Sequence, residues 1–134
     1  MTARYLLDSN ILSDLVSRPD GRVATHLDTL DHGQVCTSII VAAEMRYGVI
    51  RKGSSRLAER VEGVLARVPV ISFDPPADEV YGHVRADLER RGTPIGHLDG
   101  LIAAHALALG CAVVTANERE FRRVAGLTVE NWLR

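Results

Sequence analysis

The sequence predicts an α/β domain in which a largely parallel sheet is covered by helices on both faces. Two observations carry that prediction. Short apolar, β-rich runs alternate with segments whose apolar residues recur at helical spacing, as in strand–helix–strand units. The chain is 134 residues long with 46% hydrophobic and 25% charged residues, enough for one substantial core and not for two. A single domain over residues 1–134 is therefore expected.

The elements follow in order. Arg4 to Asp8 reads as a strand, after which Ile11, Leu12, Leu15 and Val16 form a helical stripe. Val23, Leu27 and Leu30 make a second stripe that ends near Gly33, followed by a strand over Gln34 to Thr37 and a helix from about Ile39 to Arg51. Leu57, Val61, Val64, Leu65 and Val68 mark an amphipathic helix, and a short strand spans Val70 to Phe73. Pro75 and Pro76 suit the start of the next helix, whose stripe is Val80, Tyr81, Val84 and Leu88 and whose stop signal is Gly92. The loop "GTPIGH" leads to a helix from Leu98 to Leu109. The strand "CAVVT", a short segment over Glu118 to Val124 and a last strand near Leu127 to Glu130 complete the chain.

Composition excludes several classes. The run Leu101 to Ala116 is shorter than the roughly 20 residues a bilayer demands and is broken by His105 and Gly110, so it reads as core. Met1 to Tyr5 lacks the features of a signal peptide, and a cytoplasmic protein without membrane attachment is expected. Cys36 and Cys111 lie in apolar runs and fit neither a disulfide framework nor a zinc site. A net charge of −1 argues against a generally basic nucleic-acid surface. Of the sixteen basic residues only Lys52 is not arginine.

The carboxylates carry the chemistry. Asp8 ends the first strand, where either it or Ser9 could cap the following helix. In an open α/β sheet that position is also where ligands gather, beyond the carboxyl ends of the strands, and Thr115-Ala116-Asn117 stands at a second such end. In "IIVAAEMRYG" the two charges, Glu44 and Arg46, are about 200° apart around the helix, so one of them faces protein. "LDGLIAAHALALG" is apolar nearly all round, as buried helices are, yet opens with Asp99, which the helix dipole also favours. His105 lies on another face and reads as a hydrogen-bonded histidine, not a ligand. Acids from three elements in one pocket raise each other's pKa unless a cation lies between them. Carboxylates without Cys or paired His suit hard cations, Mg²⁺ or Mn²⁺, and the chemistry this suggests is phosphoester hydrolysis.

"YLLDSNILSDL", "AAEMRYG", "GTPIGHLDGLIAAHAL" and "VVTANEREF", in this order and spacing, resemble the PIN-domain ribonucleases and specifically the VapC toxins of bacterial VapBC toxin–antitoxin pairs. The closing "TVENW" is similar as well. The resemblance implies a three-layer α/β/α fold and a Mg²⁺- or Mn²⁺-dependent endoribonuclease that acts on tRNA or ribosomal RNA. By the same resemblance Asp8, Glu44 and Asp99 match the metal-binding acids. The fourth position is shared between Asn117 and Glu120, and Ser9, Asn10 and Thr115 match positions that orient the carboxylates. Arg85, Arg119 and Arg122, with Arg90, Arg91 and Arg123 behind them, are candidates to hold the RNA backbone. The implied partners are a second copy of the chain and a VapB antitoxin, which inserts a basic residue into the acidic groove and alone contacts operator DNA.

Two other classes compete. A phosphoacceptor domain also places an Asp at a strand end, but needs a lysine after a later strand, and Lys52 falls at the end of a helix instead. A catalytically silent relative would bind RNA or a partner only, against which the full set of acids weighs.

Overall fold

The computed structural model describes residues 3–134, so Met1 and Thr2 of the N-terminal stretch lie outside the described residues. The elements run β1 (Tyr5–Leu7), α1 (Ser9–Ser17), α2 (Arg22–Asp28), a 3₁₀ turn (His32–Gln34), β2 (Val35–Ser38), α3 (Ile39–Lys52), α4 (Ser55–Arg67), β3 (Val70–Ile71), α5 (Ala77–Arg90), α6 (His97–Leu109), β4 (Ala112–Val114), α7 (Glu118–Phe121) and β5 (Val129–Glu130). The five strands form one parallel sheet in the order β3-β2-β1-β4-β5.

The first strand is the middle of the sheet. Tyr5 and Leu6 pair with Val35 and Cys36 on one side, and Tyr5, Leu6 and Leu7 pair with Ala112, Val113 and Val114 on the other. With helices on both faces neither side of these strands can be polar, and Leu6, Leu7, Val113 and Val114 are wholly inaccessible to solvent. Each such side chain contributes about 1.5–3 kcal/mol by leaving water.

The helices follow their stripes. Ile11, Leu12, Leu15 and Val16 of α1 and Val61, Val64 and Leu65 of α4 turn inward. In α6 Ile102, Ala103, Ala104, His105 and Ala106 are all buried, as a helix without a polar face requires. Its small residues let α5 approach closely: a Cβ on Gly100 would come within 3.3 Å of the Tyr81 ring. Helices α3 and α6 stop at Gly53 and Gly110, both left-handed (φ 67° and 72°), a conformation that glycine adopts without strain.

The differences from expectation lie at element ends. Helix α2 stops at Asp28, short of Leu30, and Gln34 forms part of the 3₁₀ turn instead of β2, its Oε1 accepting from the Asp31 N–H. Strands β3 and β5 are two residues each, because an edge strand has a partner on one side only. Arg4 precedes β1 yet already bonds across to both neighbours, donating to the Gln34 carbonyl and accepting from the Ala112 N–H.

Candidate active site

The chain visits β1, β2 and β3 on one side of the sheet and β4 and β5 on the other, so the order reverses between β1 and β4. Loops diverge there and leave a crevice beyond the carboxyl ends of the strands. Asp8 follows β1 into this crevice and Thr115 follows β4.

Asp8 is 3% exposed, and its carboxylate is held from several sides. Oδ1 accepts from the Ser9 N–H at 2.8 Å, which makes Asp8 the cap of α1. Oδ2 accepts from the Thr115 hydroxyl at 2.8 Å and from Asn10 Nδ2 at 3.4 Å. Asn10 also accepts from the Ala116 N–H at 2.9 Å, tying the two strand-end loops together. Capping and a place in the acidic pocket are thus one geometry. Burial raises the Asp8 pKa, and these hydrogen bonds oppose the rise without cancelling it.

Glu44 and Arg46 part as the helical geometry requires. Arg46 leaves the core to form a forked pair with Glu62 of α4 at 2.9 and 3.0 Å, while Glu44 turns toward the crevice. Its Oε1 is buried without a hydrogen-bond partner. Burial, and after it the Asp8 charge, raises the Glu44 pKa.

Asp99 stands in the first turn of α6. Asn117 Nδ2 donates to Asp99 Oδ2 at 3.1 Å and to Glu120 Oε2 at 2.8 Å, and the Asn117 N–H donates to the Thr115 hydroxyl at 3.0 Å. Burial pushes the Asp99 pKa up to about 7, helped by a hydrogen bond to Glu120 and by the charges of Asp8, Glu120 and Glu44. The same bond holds Glu120 below its usual range, with Asn117 assisting. The two carboxyls thus resist being ionised together.

Asp8, Glu44, Asp99 and Glu120 therefore lie within electrostatic reach of one another, with Asn10 and Thr115 on Asp8, Asn117 bridging Asp99 and Glu120, and Ser9 supplying a backbone N–H. As they stand, no three His, Cys or acidic side chains among the described residues are drawn together tightly enough to grip an ion jointly. A small hard cation tolerates this, since it usually engages one or two carboxylates and reaches the rest through water. The orphaned Glu44 oxygen and the raised Asp99 pKa both mark a surplus of negative charge that a divalent cation would relieve.

Five of the six candidate arginines are occupied locally. Arg85 bonds Glu89 and the Tyr81 hydroxyl, Arg90 and Arg91 pair with Asp87, Arg122 pairs with Glu118, and Arg123 donates to the Pro94 carbonyl. Arg119 alone of the six makes no hydrogen bond or ion pair among the described residues. Glu118, close by in sequence, is committed to the surface: Arg134, Asn131 and Arg122 hold it down to about 2. His105 is buried and shares a 2.8 Å hydrogen bond with Ser38, the residue that caps α3. Sequence reasoning left this link between the two acid-bearing helices unseen, although "TSII" carried the capping signal.

The PIN domain family model matches residues 5–127. The chain belongs to the PIN-domain family. Within it the VapC branch matches over nearly full length. The tRNA(fMet)-specific endonuclease VapC of Shigella flexneri is 35% identical over 133 residues, covering 96% of this chain and 98% of the relative. Ribonuclease VapC2 of Rickettsia felis is 35% identical over 130 residues, covering 96% and 97%. Among solved structures, VapBC2 from Rickettsia felis bound to a promoter DNA fragment contains a chain that superposes with a TM-score of 0.87 at 33% identity, covering 96% of this chain and 98% of that one. DNA-bound VapBC from Salmonella typhimurium gives 0.87 at 32% identity, covering 98% and 99%. This PIN domain thus has the three-layer α/β/α architecture that the motifs imply.

Proposed function

We propose that this protein is a VapC-type toxin: a divalent-metal-dependent endoribonuclease that cleaves tRNA or ribosomal RNA in the cytoplasm and is silenced by a VapB-type antitoxin. The observation that carries the reading is the acidic grouping at the sheet's switch point, where Glu44 has a buried oxygen without a partner and the Asp99 pKa is pushed up to about 7. Acids so placed are poor at stabilising the fold and well suited to a cation and a phosphate.

Asp8, Glu44, Asp99 and Glu120 would hold Mg²⁺, for which Mn²⁺ can substitute. When bound, such an ion supplies Lewis-acid polarisation of a phosphate and lowers the pKa of water to within reach of neutral pH. The protein's part is positioning. Thr115 and the Ser9 N–H fix the Asp8 carboxylate, and Asn117 spans Asp99 and Glu120. With water as nucleophile the products carry 5′-phosphate and 3′-hydroxyl ends. RNA is then selected by contacts and shape, because the 2′-hydroxyl takes no part in the bond changes.

The antitoxin reading follows from the same surplus charge. An arginine or lysine from a VapB-type partner could neutralise the pocket in place of the metal, and DNA contacts would belong to that partner. A second copy of this chain completes the proposed assembly.

Incubation of bacterial tRNA with the protein in Mg²⁺, then in excess chelator, tests the enzyme, with Asp8→Asn and Asp99→Asn alongside. Cleavage is expected only for wild type with metal, and mapping the new RNA ends identifies the target. Cleavage retained by both variants would remove the assigned site.

A further inference from the structure

Glu44, with Ser9, also lines a cavity of about 420 Å³ between α1, α3 and α4, whose walls are regular. On α1 Ser9, Ser13 and Ser17 recur every four residues, and on α3 Glu44, Gly48 and Lys52 do the same, so each set stands one above the other on a single helix face. Met45 and Val61 give the floor an apolar character. Ser13, Ser17 and Lys52 are exposed, and Lys52 makes no hydrogen bond or ion pair among the described residues. A Cβ built on Gly48 would meet nothing within 4 Å, so the middle of the groove is open at backbone level.

Charge is graded along this groove. Its near end is Glu44, and its far end is the chain's only lysine, eight residues and about 12 Å farther along α3. Hydroxyls line the wall opposite. A ligand that suits both ends has one anionic group for a cation at the acids, another for Lys52, and hydrogen-bond acceptors between them. A nucleic acid strand has that repeat, and the apolar floor can take its base or sugar faces. An extended peptide could bring a basic side chain to Glu44 but would also need an acidic one at Lys52, whereas a polynucleotide repeats its phosphate along the strand.

We infer that the α1–α3 groove is an RNA subsite, in which Lys52 and the Ser13 and Ser17 hydroxyls hold backbone phosphate flanking the bond to be cut. The inference rests on the nuclease reading given above. It assigns substrate contact to a lysine instead of to the arginines near α5 and α7, most of which are already paired.

The test is steady-state cleavage of unfractionated bacterial tRNA in Mg²⁺ over a series of salt concentrations, using wild type, Lys52→Gln, Lys52→Arg and Arg51→Gln. Arg51 is also exposed and one residue away, but does not line the cavity, so it controls for net charge. Lys52→Gln is expected to raise KM about five-fold, the worth of one exposed ion pair, while kcat stays within about two-fold. The slope of log(kcat/KM) against log salt should become shallower by about 0.7, as for one lost phosphate contact on a single strand. Lys52→Arg should restore both, and Arg51→Gln should change neither. A wild type that cleaves while Lys52→Gln behaves like Arg51→Gln overturns the subsite alone. If Lys52→Gln instead spares cleavage and weakens inhibition by a VapB-type antitoxin, the groove belongs to the protein partner and the inference is equally wrong. A wild type without cleavage removes the nuclease reading and the subsite with it.

Discussion

Replacing Asp99 by asparagine should make the metal-free protein more stable at alkaline pH. Asp99 ordinarily titrates near 3.8 and is pushed up to about 7 in the fold, first by burial and then by Glu120 and the neighbouring charges. A carboxyl whose folded pKa is raised holds a proton that the unfolded chain has already released. Stability therefore falls as pH rises from about 4 to about 7, and the loss is complete above that window. At about 1.4 kcal/mol per pH unit the full rise corresponds to at most about 4 kcal/mol. Asp99 is only partly buried, and its bond to Glu120 lowers that partner's pKa, so part of the loss is recovered and a net of about 1–2 kcal/mol remains. Asparagine removes the charge but can still accept from Asn117. In chelator at pH 8 the variant should melt about 4–8 °C above wild type, and at pH 4 the two should coincide. Calorimetric or circular-dichroism melts at the two pH values decide it. A variant that melts below wild type at pH 8 would refute the electrostatic account of the pocket.

Four further outcomes are expected. Mg²⁺ at a hundred times its dissociation constant should stabilise wild type by about 2.7 kcal/mol, measured as a shift in thermal midpoint, and should do much less for Asp99→Asn. Asp8→Asn should retain the cap on the Ser9 N–H and fold normally while losing cleavage, whereas Asp8→Ala should in addition lose about 1 kcal/mol in urea titrations. Gly48→Ala should raise the urea midpoint by the equivalent of about 0.5–1 kcal/mol, because the position is helical and its Cβ meets nothing. Ser38→Ala should destabilise by about 1–2 kcal/mol in the same titration, since the hydroxyl both caps α3 and bonds His105.

The parallel sheet and its helices were legible because strand and helix periods alternate cleanly along the chain. Element ends were less so: α2 and the edge strands β3 and β5 are shortened by pairing and packing that no local pattern encodes. For Glu44 the angular argument sufficed, since only one of two charges on opposed helix faces could point outward, and Arg46 found Glu62. The arginines mark where local reading was incomplete. Arg85, Arg91 and Arg122 each have an acid four residues away, at Glu89, Asp87 and Glu118, and in the fold those short-range pairs occupy them. Contacts such as Thr115 to Asp8, 107 residues apart, and the groove ending at Lys52 depend on how elements stack and leave no mark on sequence spacing.

The position of β1 in the middle of the sheet has a consequence during synthesis. Its neighbours are β2 and β4, the second of which is reached only at residue 112, and the acids arrive in the order 8, 44, 99 and 120. A nascent chain short of residue 112 lacks the strand that closes the crevice, and one short of Glu120 lacks the full complement of carboxylates. Under the function proposed above, cleavage would therefore begin only after the last of these residues has left the ribosome.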